Sequence, residues 1–79
     1  MTKEETFLVK LHALSLKKGS PHLEIDRYEI GRALGYNDRS VNNMVQTLAQ
    51  TNFLKRGEDN NVFLTEHGLK LVNLLLCTK

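Results

Sequence analysis

The sequence predicts a mainly α-helical domain with a small β-hairpin, ordered helix, short strand, helix, helix, hairpin, helix. Three observations lead there. Apolar residues recur at helical spacing in four segments. Gly35 separates the second of these segments from the third, with little room for anything but a tight turn. A Gly57-Glu58-Asp59-Asn60 cluster stands between two short segments that contain apolar residues. The 79 residues suffice for one small domain, residues 1–79, and not for two.

The first helix is expected over Lys3–Lys18. Thr2 and Glu5 have capping-box spacing, and Phe7, Leu8, Leu11, Ala13 and Leu14 fall at helical intervals among Lys10, Lys17 and Lys18. Gly19-Ser20-Pro21 ends it, because glycine suits a helix C-terminus and proline cannot continue one. In His22–Ile25, Leu23 and Ile25 alternate, which fits a short strand. Asp26 can cap a second helix over about Arg27–Leu34, with Glu29 placed to answer it as a capping box. Gly35 can take the left-handed conformation that stops a helix sharply. Asn37 or Asp38 then caps a third helix over about Arg39–Gln50. Ile30 and Leu34 face Val41, Met44 and Val45 across this pair, and Gly31 permits close approach. Phe53–Arg56 and Asn61–Thr65 form the hairpin around Gly57–Asn60. Thr65 caps a last helix over about Glu66–Leu76, within a C-terminal helical segment 66–77, and Glu66 places negative charge in its first turn.

This order, α-β-α-α-β-β-α, resembles the winged helix-turn-helix domains of MarR-like and related prokaryotic transcription regulators. The resemblance covers nearly the whole chain. It is carried by the pattern from Ile30 to Leu48, by the Phe53-Leu54-Lys55-Arg56 strand, and by Leu64-Thr65-Glu66-His67-Gly68 leading into the last helix. It implies a helix-turn-helix at 27–50, a wing at 53–65, and a third helix offered to the DNA major groove.

The outward side of that third helix has unusual chemistry. Val41, Met44, Val45 and Leu48 share one side, while Arg39, Asn43, Gln46 and Gln50 share the other, flanked by Ser40, Asn42 and Thr47. An ordinary solvated helix face favours Lys and Glu over Asn and Thr. An amide can donate to N7 of adenine and accept from its exocyclic amine in one bidentate contact. Arg39, Asn42, Asn43 and Gln46 are therefore the expected base-facing residues. Arg27, Arg32, Ser40, Thr47, Lys55 and Arg56 are the expected backbone contacts. The carboxylates of Glu58 and Asp59 at the wing tip would repel phosphate, so the cations at the base of the wing suit that contact better.

The last helix is apolar nearly all round. Leu69, Val72 and Leu76 lie to one side and Leu71, Leu74 and Leu75 to the other, leaving Lys70, Asn73 and Cys77 as the polar strip. One side completes the core. The other, Leu71, Leu74 and Leu75, is expected to meet a second copy, and a homodimer also suits paired DNA half-sites.

Composition is ordinary for a globular domain, with 41% hydrophobic and 25% charged residues; the net charge of +2 is compatible with a polyanion partner without demanding one. Cys77 is the lone cysteine, Met1–Glu5 lacks the shape of a signal peptide, and no apolar run reaches the roughly 18 residues of a membrane span; a cytoplasmic protein is expected. His12, His22, His67 and Cys77 show no paired metal-ligand spacing, and neither a phosphate loop nor a nucleophile–base–acid arrangement is present. No cofactor, metal, enzymatic activity or small-molecule substrate is expected. The reading is a small sequence-specific DNA-binding transcriptional regulator. The rival is a protein–protein interaction module on the same fold, since fold alone does not decide function.

Overall fold

The apolar periodicities become four helices: α1 (Lys3–Lys18), α2 (Arg27–Leu34), α3 (Asp38–Gln50) and α4 (Glu66–Cys77). Three short strands accompany them: β1 (Ile25–Asp26), β2 (Leu54–Arg56) and β3 (Asn61–Leu64). The structure is a computed structural model and describes residues 1–77. The strands form an antiparallel sheet in the order β1-β3-β2, with Leu54 opposite Leu64, Lys55 opposite Phe63, and Ile25 opposite Val62.

The helix ends follow from their capping residues. Thr2 and Glu5 close a reciprocal capping box on α1, with Glu5 N–H donating to Thr2 Oγ1 over 3.1 Å and Thr2 N–H to Glu5 Oε1 over 2.8 Å. Asp26 accepts from Tyr28 N–H at 2.8 Å, and among the described residues no return bond from Glu29 completes a box there. Asn37, rather than Asp38, caps α3, its Oδ1 accepting from Ser40 N–H at 2.8 Å. Gly35 sits at φ 77°, and Tyr36 N–H reaches back to the Gly31 carbonyl over 2.8 Å, which turns the chain from α2 into α3.

The expected strand His22–Ile25 shifts to Ile25–Asp26. The reason lies in Ser15, the one buried polar side chain among the described residues, whose hydroxyl donates to the Leu23 carbonyl over 3.0 Å. Ser15 thereby ties the Leu23 carbonyl to α1, and the β1–β3 pairing covers only Ile25 and Asp26, while His22 and Glu24 reach β3 and the hairpin through their side chains.

The core lies between the helices and one face of the sheet. Phe7, Leu8, Leu11, Ile25, Ile30, Val41, Met44, Val45, Leu48, Leu54, Val62, Leu64 and Val72 are all buried, and Leu34 packs at the edge. Two buried glycines permit close approaches inside the fold. A Cβ on Gly31 would overlap Val41 Cγ2, and a Cβ on Gly68 would overlap the Phe53 carbonyl. The first turn of α4 therefore rests on the backbone that follows α3. Thr65 finishes this joint: its hydroxyl donates to the Asn52 carbonyl over 2.7 Å and accepts from Gly68 N–H over 2.9 Å.

On α4 the division of leucines differs from the one expected. The inward stripe centres on Gly68 and Val72, which are buried, so Leu71 packs against the core and Leu75 is half-buried. Leu76, expected inside with Leu69 and Val72, lies at the edge of that stripe in the last turn and is 47% exposed, while Leu74 is 66% exposed. The outward apolar residues are thus Leu74 and Leu76.

Candidate functional site

Helix α3 presents the site. Asn37 fixes its start, and Val41, Met44, Val45 and Leu48 anchor its inner side. Arg39, Asn42, Asn43, Gln46, Thr47 and Gln50 are all exposed, and Ser40 is half-buried in the first turn. Among the described residues the side-chain amides of Asn43 and Gln46 make no hydrogen bond, so both are open to solvent and to any partner.

Asn42 differs. Its Oδ1 accepts from Arg27 Nη1 at 3.2 Å and from the Tyr28 hydroxyl at 3.3 Å. Arg27 also donates from Nε to the Asn60 carbonyl over 3.1 Å, and its backbone N–H donates to the same oxygen over 3.0 Å. One guanidinium therefore joins the start of α2, the outer side of α3 and the tip of the hairpin. Residues 14 and 15 apart in sequence meet here, so no local spacing in the sequence announces Tyr28 as a member of the site.

The cations around this face are not consumed by ion pairs. Among the described residues the only pair is His22 Nε2 with Glu66 Oε1 at 3.1 Å, so Arg32, Arg39, Lys55 and Arg56 carry no bound carboxylate. Lys55 and Arg56 are consecutive on β2, and consecutive strand residues point to opposite sides of a sheet. Lys55 shares the outer face with Phe63, whereas Arg56 stands at the strand end beside the hairpin tip. The two do not act as one cationic pair.

The hairpin tip is acidic. Asn61 N–H donates to the Glu58 carbonyl over 2.8 Å, and Asp59 takes φ 52°, a conformation that aspartate tolerates better than most residues. Glu24 adds a third carboxylate, accepting at Oε1 from Glu58 N–H and Asn61 Nδ2, each over 3.3 Å. Sequence reading singles out Glu58 and Asp59 but misses Glu24, which reaches the tip only because β1 lies against β3.

Two further concavities flank the site. A cleft of about 540 Å³ on the outer sheet face is lined by His22, Lys55, Phe63, Glu66 and His67. Within it His67 stacks on Phe53 at 4.6 Å, and His22 Nδ1 lies 2.7 Å from the Leu64 carbonyl. A groove at the far end of α3 is lined by Thr47, Thr51, Leu71, Glu4 and Glu5. This places Thr47 beside two carboxylates, a poor setting for a phosphate contact.

No group of three His, Cys, Asp or Glu able to hold a metal occurs among the described residues, and no helix is long and apolar enough to cross a membrane. No family model matches the chain, and no curated protein or solved structure matches it significantly.

Proposed function

We propose that this chain is a sequence-specific DNA-binding regulator of winged helix-turn-helix type, with α3 as the major-groove reader. The observation that carries the reading is the outward side of α3: Asn43 and Gln46 are exposed and, among the described residues, make no internal hydrogen bond, and Arg39, one turn before Asn43, forms no ion pair there. Free amides are the side chains that read adenine in a bidentate manner, and unpaired Arg and Lys supply phosphate affinity. Arg39, Asn42, Asn43 and Gln46 take the base-facing role. Ser40, in the first turn of α3 where helix N–H groups favour anions, takes a phosphate together with Arg27, Arg32, Lys55 and Arg56. The acidic tip keeps the hairpin on the backbone side rather than in the minor groove. Because a few cations on one small domain give modest affinity, a second copy that doubles the contacts fits the reading. The exposed Leu74 and Leu76 of α4 are the surface that would bury against it.

Selection of bound duplexes from random-sequence DNA tests the proposal, followed by titration at several salt concentrations. An enriched site whose affinity falls steeply with salt is expected. If wild-type protein enriches nothing and shows no duplex binding at low salt, the interaction-module reading takes its place.

A further inference from the structure

We infer that Asn42 is a donor-only reading position and selects guanine, an assignment that rests on α3 being the major-groove element. An asparagine reads adenine by donating from Nδ2 and accepting at Oδ1 together. At Asn42 the second half of that contact is already occupied. Oδ1 receives hydrogens from Arg27 Nη1 at 3.2 Å and from the Tyr28 hydroxyl at 3.3 Å. The orientation of the amide is dictated by chemistry: a guanidinium only donates, so the atom facing it must be the oxygen. Nδ2 and its two hydrogens are what Asn42 has left to offer.

The major-groove edges respond differently to such a group. Adenine sets an exocyclic N6–H₂ beside N7, so its hydrogens confront those of Nδ2. Cytosine presents only a donor. Thymine offers O4 next to a crowding methyl group. Guanine alone presents two adjacent acceptors, N7 and O6, with no donor beside them. Asn43 and Gln46, whose amides make no internal bond among the described residues, remain able to read adenine. One helix face thus carries two kinds of amide, and Arg27 and Tyr28 act as the positioning residues that make the difference.

The experiment is the same duplex selection with the full chain and three variants, read position by position, with folding checked by far-ultraviolet circular dichroism. Wild-type protein is expected to enrich a site containing a guanine whose replacement by adenine weakens binding roughly tenfold. Asn42→Ala is expected to erase the preference at that position alone. Arg27→Met combined with Tyr28→Phe releases Oδ1 and is expected to move the preference there from guanine to adenine, on top of a general loss of affinity from the missing cation. Tyr28→Phe alone removes one donor, keeps the contact of Arg27 with Asn60, and is expected to narrow the gap between the two bases. A purely structural role for Arg27 and Tyr28 would lower affinity without changing base preference. An enriched site in which Asn42→Ala alters no position, or alters one that reads adenine in the wild type, overturns the inference and leaves α3 as reader. Failure of folded wild-type protein to enrich any site overturns the underlying reading and the inference with it.

Discussion

Gly31 and Val41 touch where α2 crosses α3: a Cβ at position 31 would overlap Val41 Cγ2 and stand 3.5 Å from the Tyr36 carbonyl. Val41 is fully buried and β-branched, with little rotamer freedom to yield. The two helices are therefore spaced by backbone-to-side-chain contact, and the direction in which α3 presents its amides depends on a residue without a side chain.

Gly31→Ala should destabilise the fold by about 1–2 kcal/mol, the overpacking cost less the helix-propensity gain of alanine. Adding Val41→Ala should recover part of the loss, because the two changes share one contact. Urea denaturation measures both. An unchanged midpoint for Gly31→Ala would show that the helices are free to move apart.

At the joint between α3 and α4, Thr65→Ala removes a helix cap and leaves the Asn52 carbonyl without its hydroxyl donor. A loss of about 1–2 kcal/mol is expected, with Thr65→Ser close to wild type. Gly68→Ala should cost at least as much, since its Cβ meets main chain rather than a movable side chain. Thermal unfolding at one protein concentration reads all three, and a Gly68→Ala protein as stable as the parent contradicts the packing described.

The acidic hairpin tip should weaken DNA binding. Glu58→Gln with Asp59→Asn removes two negative charges while leaving the turn residues nearly isosteric, and duplex affinity at low salt should rise several-fold. Fluorescence anisotropy with one labelled duplex measures it. Equal or lower affinity would mean that the tip never nears the phosphates.

Arg39→Ala, Lys55→Ala and Arg56→Ala should each reduce affinity, and each residue that holds a phosphate should lower the salt slope by about one. Lys55 and Arg56 point to opposite sides of β2, so their effects should be unequal. The larger effect identifies the side of the sheet that meets DNA; if no variant changes the slope, these cations play no part.

Sedimentation equilibrium should find a dimer in the wild type and a folded monomer after Leu74→Glu with Leu76→Glu. Leu71→Glu should instead unfold the domain, because Leu71 packs on the core. A wild-type monomer at high concentration would remove α4 as a self-association surface.

Much of this architecture is legible in the sequence. Helices at Lys3–Lys18 and Arg27–Leu34 follow directly from apolar spacing bounded by Thr2, Gly19, Asp26 and Gly35, each acting on its immediate neighbours. The outward and inward sides of α3 follow from the same periodicity. What escaped depends on contacts between distant segments. The loss of Asn42 Oδ1 to Arg27 and Tyr28 requires α2 and α3 to be docked. The pairing of the first strand with the hairpin and the approach of Glu24 to its tip require β1 to find β3. The sorting of leucines on α4 requires the point where Gly68 rests on Phe53, since a helix apolar on most sides carries no periodic signal for which leucines turn inward.

The hydroxyl of Ser15 bears on how this fold rejects its near misses. Helix α1 meets the core through Phe7, Leu8 and Leu11, and generic apolar contacts of this kind survive a slide along the helix axis far better than a hydrogen bond does. With Ser15 fully buried and donating to the Leu23 carbonyl, a slip by one turn would separate the two and leave the serine hydroxyl without its acceptor, at a cost of about 1–3 kcal/mol wherever that hydroxyl stays buried. The Ser15 side chain thus acts as an alignment pin: it contributes little to cohesion but makes one register of α1 distinguishable from its neighbours.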